Sequence, residues 1–360
     1  MDSKGYDGFG VTLTAHRARS FRLGAQIGIM IKKMAKRALL GTGVLRLAAK
    51  LHGKGAAILM YHSVLENPDQ EKDSLGGIIH SREAFQGQME MLAKKFRPVP
   101  LYEVGRFVKG EADMPDRAVV VTFDDGYTDN YEVAMPILDR VGIPATFYVT
   151  VDCVENRRLP WPSRLRFSFR KTAKKSWSDE SGTVWNLESD QGREQAYLTA
   201  CDRVCQLAGA ALENAVHSME AELDAKLPDD RGGLMMTWEQ VRGLSRNGHI
   251  VGSHTMTHPN LAFLSMEEAR CELVQSKTQM EQRLATRVEH FSYPCPALFP
   301  NWTVRTTAES RKAGYQTAVT TSNGLARKQD DPLCLKRVRP TKSVDGLGWN
   351  LENAFAGRAR

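Results

Sequence analysis

The chain has 360 residues, 42% hydrophobic and 25% charged, enough to bury the core of one large α/β domain with extensions or of two ordinary domains, which excludes a disordered or fibrous protein. The net charge of +7 is concentrated at the N-terminus, where no acidic residue falls between Gly8 and Leu65, and the near balance elsewhere excludes a general nucleic-acid-binding surface. No apolar run approaches the ~20 residues that span a bilayer.

Residues 1 to about 55 are basic, with apolar residues at helical spacing from Phe21 to Leu51. Leu39, Leu40, Val44, Leu47 and Leu51 can share one helical face, consistent with an interfacial helix on an anionic membrane surface, a basic tail, or a helix packed on the domain. Ala56 to Tyr61 is an apolar run ending in His62, a predicted strand. Residues 82–95 place Phe85, Met89 and Leu92 on one face of an amphipathic helix, and a short helix is expected over 102–108. Ala118-Val-Val-Val-Thr-Phe then reads as a strand buried on both faces, delivering Asp124, Asp125 and Gly126 at its end. A helix over 131–141 and a strand over 143–151 complete a βαβ unit.

The pattern changes at about 153–233, which reads as an insertion at the C-terminal end of a strand. Residues 155–192 are rich in Arg, Lys, Ser and Trp, and 193–226 read as helical. Thr237 caps a helix to Asn247, and His249 to Ser253 is a strand that delivers His254 and His258. Ser265-Met-Glu-Glu268 is a capping box opening a helix to about Leu284. Strands follow at 289–293, 314–320 and 335–339, with a helix at 302–313. The alternation predicts one closed or nearly closed α/β barrel over 56–345, a basic segment over 1–55, and a tail over 346–360. The six cysteines are scattered, and reduced thiols are expected.

The C-terminal ends of parallel strands are where such folds place their chemistry. Asp125, His254 and His258 can supply three ligands to a divalent metal such as zinc, leaving one position open. Asp124, adjacent to a ligand, is the candidate base, because two neighbouring carboxylates do not share one task without repulsion. Amide or ester hydrolysis also needs an oxyanion donor and an acid for the leaving group. The Tyr293-Pro-Cys295-Pro turn offers a backbone N–H, and His62, also at a strand end, is the candidate acid or else a core histidine. His249 and His290 sit at the wrong ends of their strands. His16, His52, His80 and His217 lack any such context.

Together these stretches resemble the polysaccharide deacetylases, the NodB-homology group of carbohydrate esterases. Thr122-Phe-Asp124-Asp125-Gly126 is similar to their first motif, base then metal ligand. Ser253-His254-Thr-Met-Thr-His258-Pro259 is similar to the second, the two histidine ligands. Phe291-Ser-Tyr293-Pro294 resembles the start of the third, which gives a backbone N–H to the oxyanion, here that of Cys295. The resemblance implies a distorted barrel of fewer than eight regular βα units and metal-dependent removal of acetyl groups from sugars. Two departures stand out. The third motif continues as Cys295-Pro296, and Leu335-Lys-Arg-Val-Arg339 lacks the histidine of the family's late motif. In a branch acting on poly-N-acetylglucosamine that motif lies near the N-terminus, and Leu59-Met-Tyr61-His62 resembles it. The family's usual tryptophan motif has no counterpart that can be placed. Trp161, Trp177 and Trp185 could stack on sugar rings or simply pack the insertion.

The leading expectation is therefore a metal-dependent deacetylase of N-acetylated sugars in a glycan or glycan precursor, with zinc the favoured divalent metal, acting without nucleic acid. A non-catalytic carbohydrate-binding barrel and a deacylase of small lipid- or nucleotide-linked sugars are the alternatives. A cytoplasmic location, or the cytoplasmic membrane face, is expected from the absence of a recognisable signal peptide and from the basic N-terminus.

Overall fold

The computed structural model describes residues 54–225 and 233–358, with Leu45, Ala49 and His52. Leu39, Leu40, Val44, Leu47 and Leu51, which carry the amphipathic reading of the N-terminal segment, lie outside the described residues.

β1 (Ala56–Tyr61) runs into β2 (Ser63–Leu65), which pairs in parallel with β3 (Ile79–Ser81) after a short helix, Lys72–Leu75. The helix Arg82–Lys95 follows, then β4 (Arg97–Pro98) and the helix Leu101–Val108. β5 (Ala118–Phe123) and β6 (Ala145–Val149) flank the helical segment Asn130–Val141. The hairpin β7 (Ser176–Ser178) and β8 (Val184–Asn186) precedes β9 (Ile250–Ser253), β10 (His290–Ser292), β11 (Thr317–Asn323) and β12 (Leu335–Arg337).

The main sheet runs β1-β5-β6-β9-β10-β11-β12, all neighbours parallel, with β4 added at the start of β5. A parallel bridge between Leu59 and Val338 brings the last strand back to the first, with the Val338 N–H donating to the Ile58 carbonyl at 2.7 Å. This is a nearly closed seven-strand barrel, as expected for the resembled family. Every residue of β5 is buried, and its side chains alternate between two layers. Val119, Val121 and Phe123 pack outward under the surrounding helices, while Ala118 and Val120 share the interior with Ile58, Tyr148, Val319 and Leu335. Seven parallel strands need apolar cover on both faces, which explains runs with no polar alternation.

Residues 151–225 are more ordered than their polar composition suggests. Helices Trp161–Lys171, Asp190–Val204 and Gly209–Leu223, with the β7–β8 hairpin, enclose a second core around Leu165, Phe169, Val204 and Val216. Buried Arg164 joins two of these helices through bidentate pairs to Glu213 and Glu220. Trp161 and Trp177 are buried in this core, so ordinary packing accounts for them, and sugar stacking does not.

The expected tail over 346–360 is instead largely helix, Val344–Phe355. Leu347, Leu351, Ala354 and Phe355 join the main core, and Glu352 takes a bidentate pair from Arg117. The apolar residues of this stretch are spaced for one helical face, and they cover the Arg82–Lys95 helix, which would otherwise expose part of its own.

Candidate active site

The ends of β1, β5, β6 and β9 are tied to one another before any side chain is considered. The Asp124 N–H donates to the Tyr61 carbonyl at 3.0 Å, Thr150 N–H to Asp125 carbonyl at 3.3 Å, and His254 N–H to Val149 carbonyl at 2.9 Å. Asp125, Thr255 and His258 all hold positive φ (77°, 69° and 63°), a conformation L-residues adopt at a cost. Gly126 follows at φ 93°, where only glycine is unstrained.

This backbone brings Asp125, His254 and His258 together, all buried, with their ligand atoms within 4.8 Å of one another. Asp125 Oδ1 lies 3.4 Å from His254 Nε2 and 3.3 Å from His258 Nε2. His254 Nδ1 is 2.8 Å from the Ser292 carbonyl, which fixes the proton there and leaves Nε2 as a lone pair. Asp125 Oδ1 is buried without a hydrogen-bond donor. Acceptors facing one another in a buried site repel unless a cation or proton lies between them. The edge of a tetrahedron with metal–ligand bonds of ~2.0 Å is roughly 3.3 Å. The donor set therefore fits a divalent ion of the zinc type.

Asp124 points elsewhere. Arg337, 1% exposed, donates through Nη1 to Asp124 Oδ1 at 2.9 Å, sets Nη2 at ion-pair distance (2.8 Å) from Oδ2, and donates through Nε to the Thr320 carbonyl at 2.8 Å. Burial alone would raise both carboxyls. The Arg337 charge outweighs it at Asp124, and the two imidazoles outweigh it at Asp125, which is held well below the usual range. Burial works against the charged form of His254, yet Asp124 and Asp125 raise its pKa.

His62 stands at the end of β1 with Nε2 3.9 Å from Asp124 Oδ2. Burial lowers its pKa against the pull of Asp125 and Asp124. Its carbonyl accepts from Asn130 Nδ2 at 2.6 Å, while Asp129 accepts from the Ser63 hydroxyl (2.6 Å) and Val64 N–H (3.0 Å), so the segment after β1 is clamped in place. Cys295 lines the same cleft, and among the described residues no acceptor takes its backbone N–H. Burial pushes its thiol up, away from the thiolate form.

All six residues expected from sequence (His62, Asp124, Asp125, His254, His258 and Cys295) line one cleft of about 410 Å³. Two partners were not expected. Arg337 lies in the stretch read only as lacking a histidine, and Glu272 lies on the helix Met266–Leu284. Glu272 accepts from Met256 N–H at 2.9 Å, Thr257 N–H at 3.0 Å and the Thr257 hydroxyl at 2.6 Å, holding the loop between the two histidines. An arginine at a barrel strand end was a weak signal for the first, and nothing local marked the second. His249 and His290 bond Asp139 and Thr317 at the far ends of their strands. His80, set aside for want of context, lines the cleft.

Residues 111–318 match the family profile described as polysaccharide deacetylase. YxkH of Bacillus subtilis, whose name carries a provisional polysaccharide deacetylase assignment, is 21% identical over 81% of this chain and 74% of its own. Among solved structures, a Streptococcus pyogenes deacetylase, PplD, in complex with acetate superposes with a TM-score of 0.55 at 19% identity, covering 82% of this chain and 96% of that one. IcaB from Ammonifex degensii gives 0.53 at 21%, covering 84% and 97%. At these identities the structures speak for the fold, whereas the profile spans more than half the chain, including Asp124, Asp125, His254, His258 and Cys295. On that match, over a barrel whose strand ends carry those residues, the chain belongs to the polysaccharide deacetylase family.

Proposed function

We propose that this protein is a divalent-metal-dependent hydrolase that removes acetyl groups from N-acetylated sugars. The observation that carries this reading is the convergence of three buried acceptors, Asp125, His254 and His258, beside a carboxylate held separately by Arg337. A divalent ion held there, zinc being the best fit, supplies Lewis acidity toward the acetyl carbonyl and makes water more acidic. Asp124 takes the proton of the attacking water, kept ionised and aimed by the two-point grip of Arg337. The Cys295 N–H donates to the developing oxyanion, and because Pro296 has no N–H of its own, the next residue adds no second donor. His62 protonates the departing amine.

The test combines metal content with acetate release in one panel. Asp125→Ala, His254→Ala and His258→Ala lose both. Asp124→Asn and His62→Ala keep the metal but slow release from an N-acetylated chito-oligosaccharide by ~10²-fold or more. His62→Ala retains most of its cleavage of a nitrophenyl acetate, whose leaving group needs little protonation. Full metal occupancy in the three alanine variants overturns the ligand set. A metal-loaded wild type that binds sugars and releases no acetate supports the non-catalytic alternative instead.

A further inference from the structure

The cleft carries a second group of polar side chains that the proposed chemistry does not use. Ser74, 1% exposed, and His80, 4% exposed, both line it, and neither the Ser74 hydroxyl nor either His80 ring nitrogen has a hydrogen-bond partner. The Ile78 and Thr341 carbonyls lie near the His80 ring without closing a bond of ordinary geometry. These three atoms are themselves sealed from solvent, so they make the wall behind the cleft polar without reaching into it.

Two cations share this lining, Arg339 and Lys342. The Lys342 ammonium is held by the Gly77 carbonyl at 2.7 Å and by that of Ile79. Neither cation has a carboxylate within ion-pair distance among the described residues. The other two arginines of the site behave differently. Arg337 is paired with Asp124, and Arg166 makes a bidentate pair with Glu194 while lying over the Tyr197 ring. Burial and the Lys342 charge hold His80 down at about 4, so at neutral pH the ring carries no charge that would compete with the two cations. The wall is also fixed in shape. Gly76 has φ 57°, and a side chain there would meet the Arg166 guanidinium at 2.9 Å.

We infer that Arg339 and Lys342, on a wall backed by Ser74 and His80, form a subsite for an anionic group, phosphate or carboxylate, borne by the sugar that is deacetylated or by its neighbour. The inference rests on the deacetylase reading and deepens it: the substrate is an acidic saccharide, not a neutral polymer of N-acetylhexosamine. A neutral hydroxyl in the cleft would leave both cations without counter-charge. An anion accepts from both, and charge-assisted bonds are the stronger kind.

The experiment measures binding to zinc-loaded, full-length protein carrying Asp124→Asn, so that nothing is turned over. The probes are N-acetylglucosamine, its 1-phosphate, N-acetylmuramic acid and inorganic phosphate. At least one acidic sugar is expected to bind ~10-fold or more tighter than the neutral sugar, and tighter than inorganic phosphate. The phosphate and carboxylate arms identify which anion is taken. Arg339→Gln, at an exposed position that holds no structural contact, removes most of that preference, and adding Lys342→Gln brings the ratio near one. Equal affinities for neutral and acidic sugars overturn the subsite. So does a preference that survives both substitutions, since the anion then sits on the metal. Acetate release by the wild type is read separately: its absence from every sugar defeats the deacetylase reading, while the binding ratios still decide the subsite.

Discussion

The buried pair between Asp124 and Arg337 is the most consequential contact of the site at the scale of single residues. Taking two charges out of water is costly, so such a pair rarely adds stability, and its use here is to keep a carboxylate ionised and aimed. Asp124 has its pKa lowered, so its charged form persists to lower pH than in the unfolded chain. The stability it contributes is present above the unfolded carboxyl range and is lost as pH falls through the folded value. Arg337→Met is expected to retain metal, lose ~10²-fold or more in turnover, and move the acid limb of the kcat/KM profile to higher pH, because burial then acts on Asp124 without its main opponent. Arg337→Lys, with a charge but no fork, should recover part of that shift. An acid limb that stays in place in both variants would falsify the orienting role.

Among the elements, the loop from His254 to His258 shows how a strand end is turned into a ligand pair. β9 is short, and beyond it Thr255 and His258 take positive φ, so the conformation needs support from outside its own sequence. The support is Glu272, whose carboxylate collects two backbone N–H groups and a hydroxyl from Met256 and Thr257. Trp161, from the helical segment 151–225, adds a bond from its indole N–H to the His258 carbonyl at 2.9 Å. Glu272→Leu removes both acceptor oxygens and leaves the three donors of Met256 and Thr257 unmatched. Metal affinity is expected to weaken ~10–100-fold in chelator competition, with the fold retained by circular dichroism. Unchanged affinity would mean that the strand tether alone positions the histidines.

For the molecule as a whole, the clamp after β1 links the position of His62 to the pH dependence of stability. Asp129 accepts from Ser63, Val64 and Asn130, yet burial pushes its carboxyl up to about 7. A carboxyl whose folded pKa exceeds the unfolded value of ~3.9 favours folding at low pH, and that contribution is lost as pH rises through about 7. The melting temperature is therefore expected to decline from about pH 4 to about pH 7 and to level off above it, and Asp129→Asn, a mimic of the protonated form, should flatten that part of the curve. A parallel decline in the variant would place the titrating group elsewhere.

Much of this architecture was legible in local sequence. Buried parallel strands announce themselves as unbroken apolar runs, as at Ala118–Phe123, and the capping boxes at Thr237 and Ser265 mark their helix starts by hydrogen bonds three residues apart. The candidate ligands Asp125, His254 and His258, the carboxylate Asp124 and His62 were visible because they lie within a few residues of the end of such a run. Other features depended on residues far apart in the chain. Arg337 reaches Asp124 across 213 positions, and Lys342 reaches the Gly77 carbonyl across 265. Helix Val344–Phe355 is core only because the Arg82–Lys95 helix offers it a surface. His80 had no local context and acquired one when the barrel closed. Periodicity, capping and strand ends are short-range effects that a sequence carries by itself. Which buried charge meets which, and which side chains come to line one cleft, is decided by closure of the β1–β12 ring, which brings together residues with no neighbourhood in the chain.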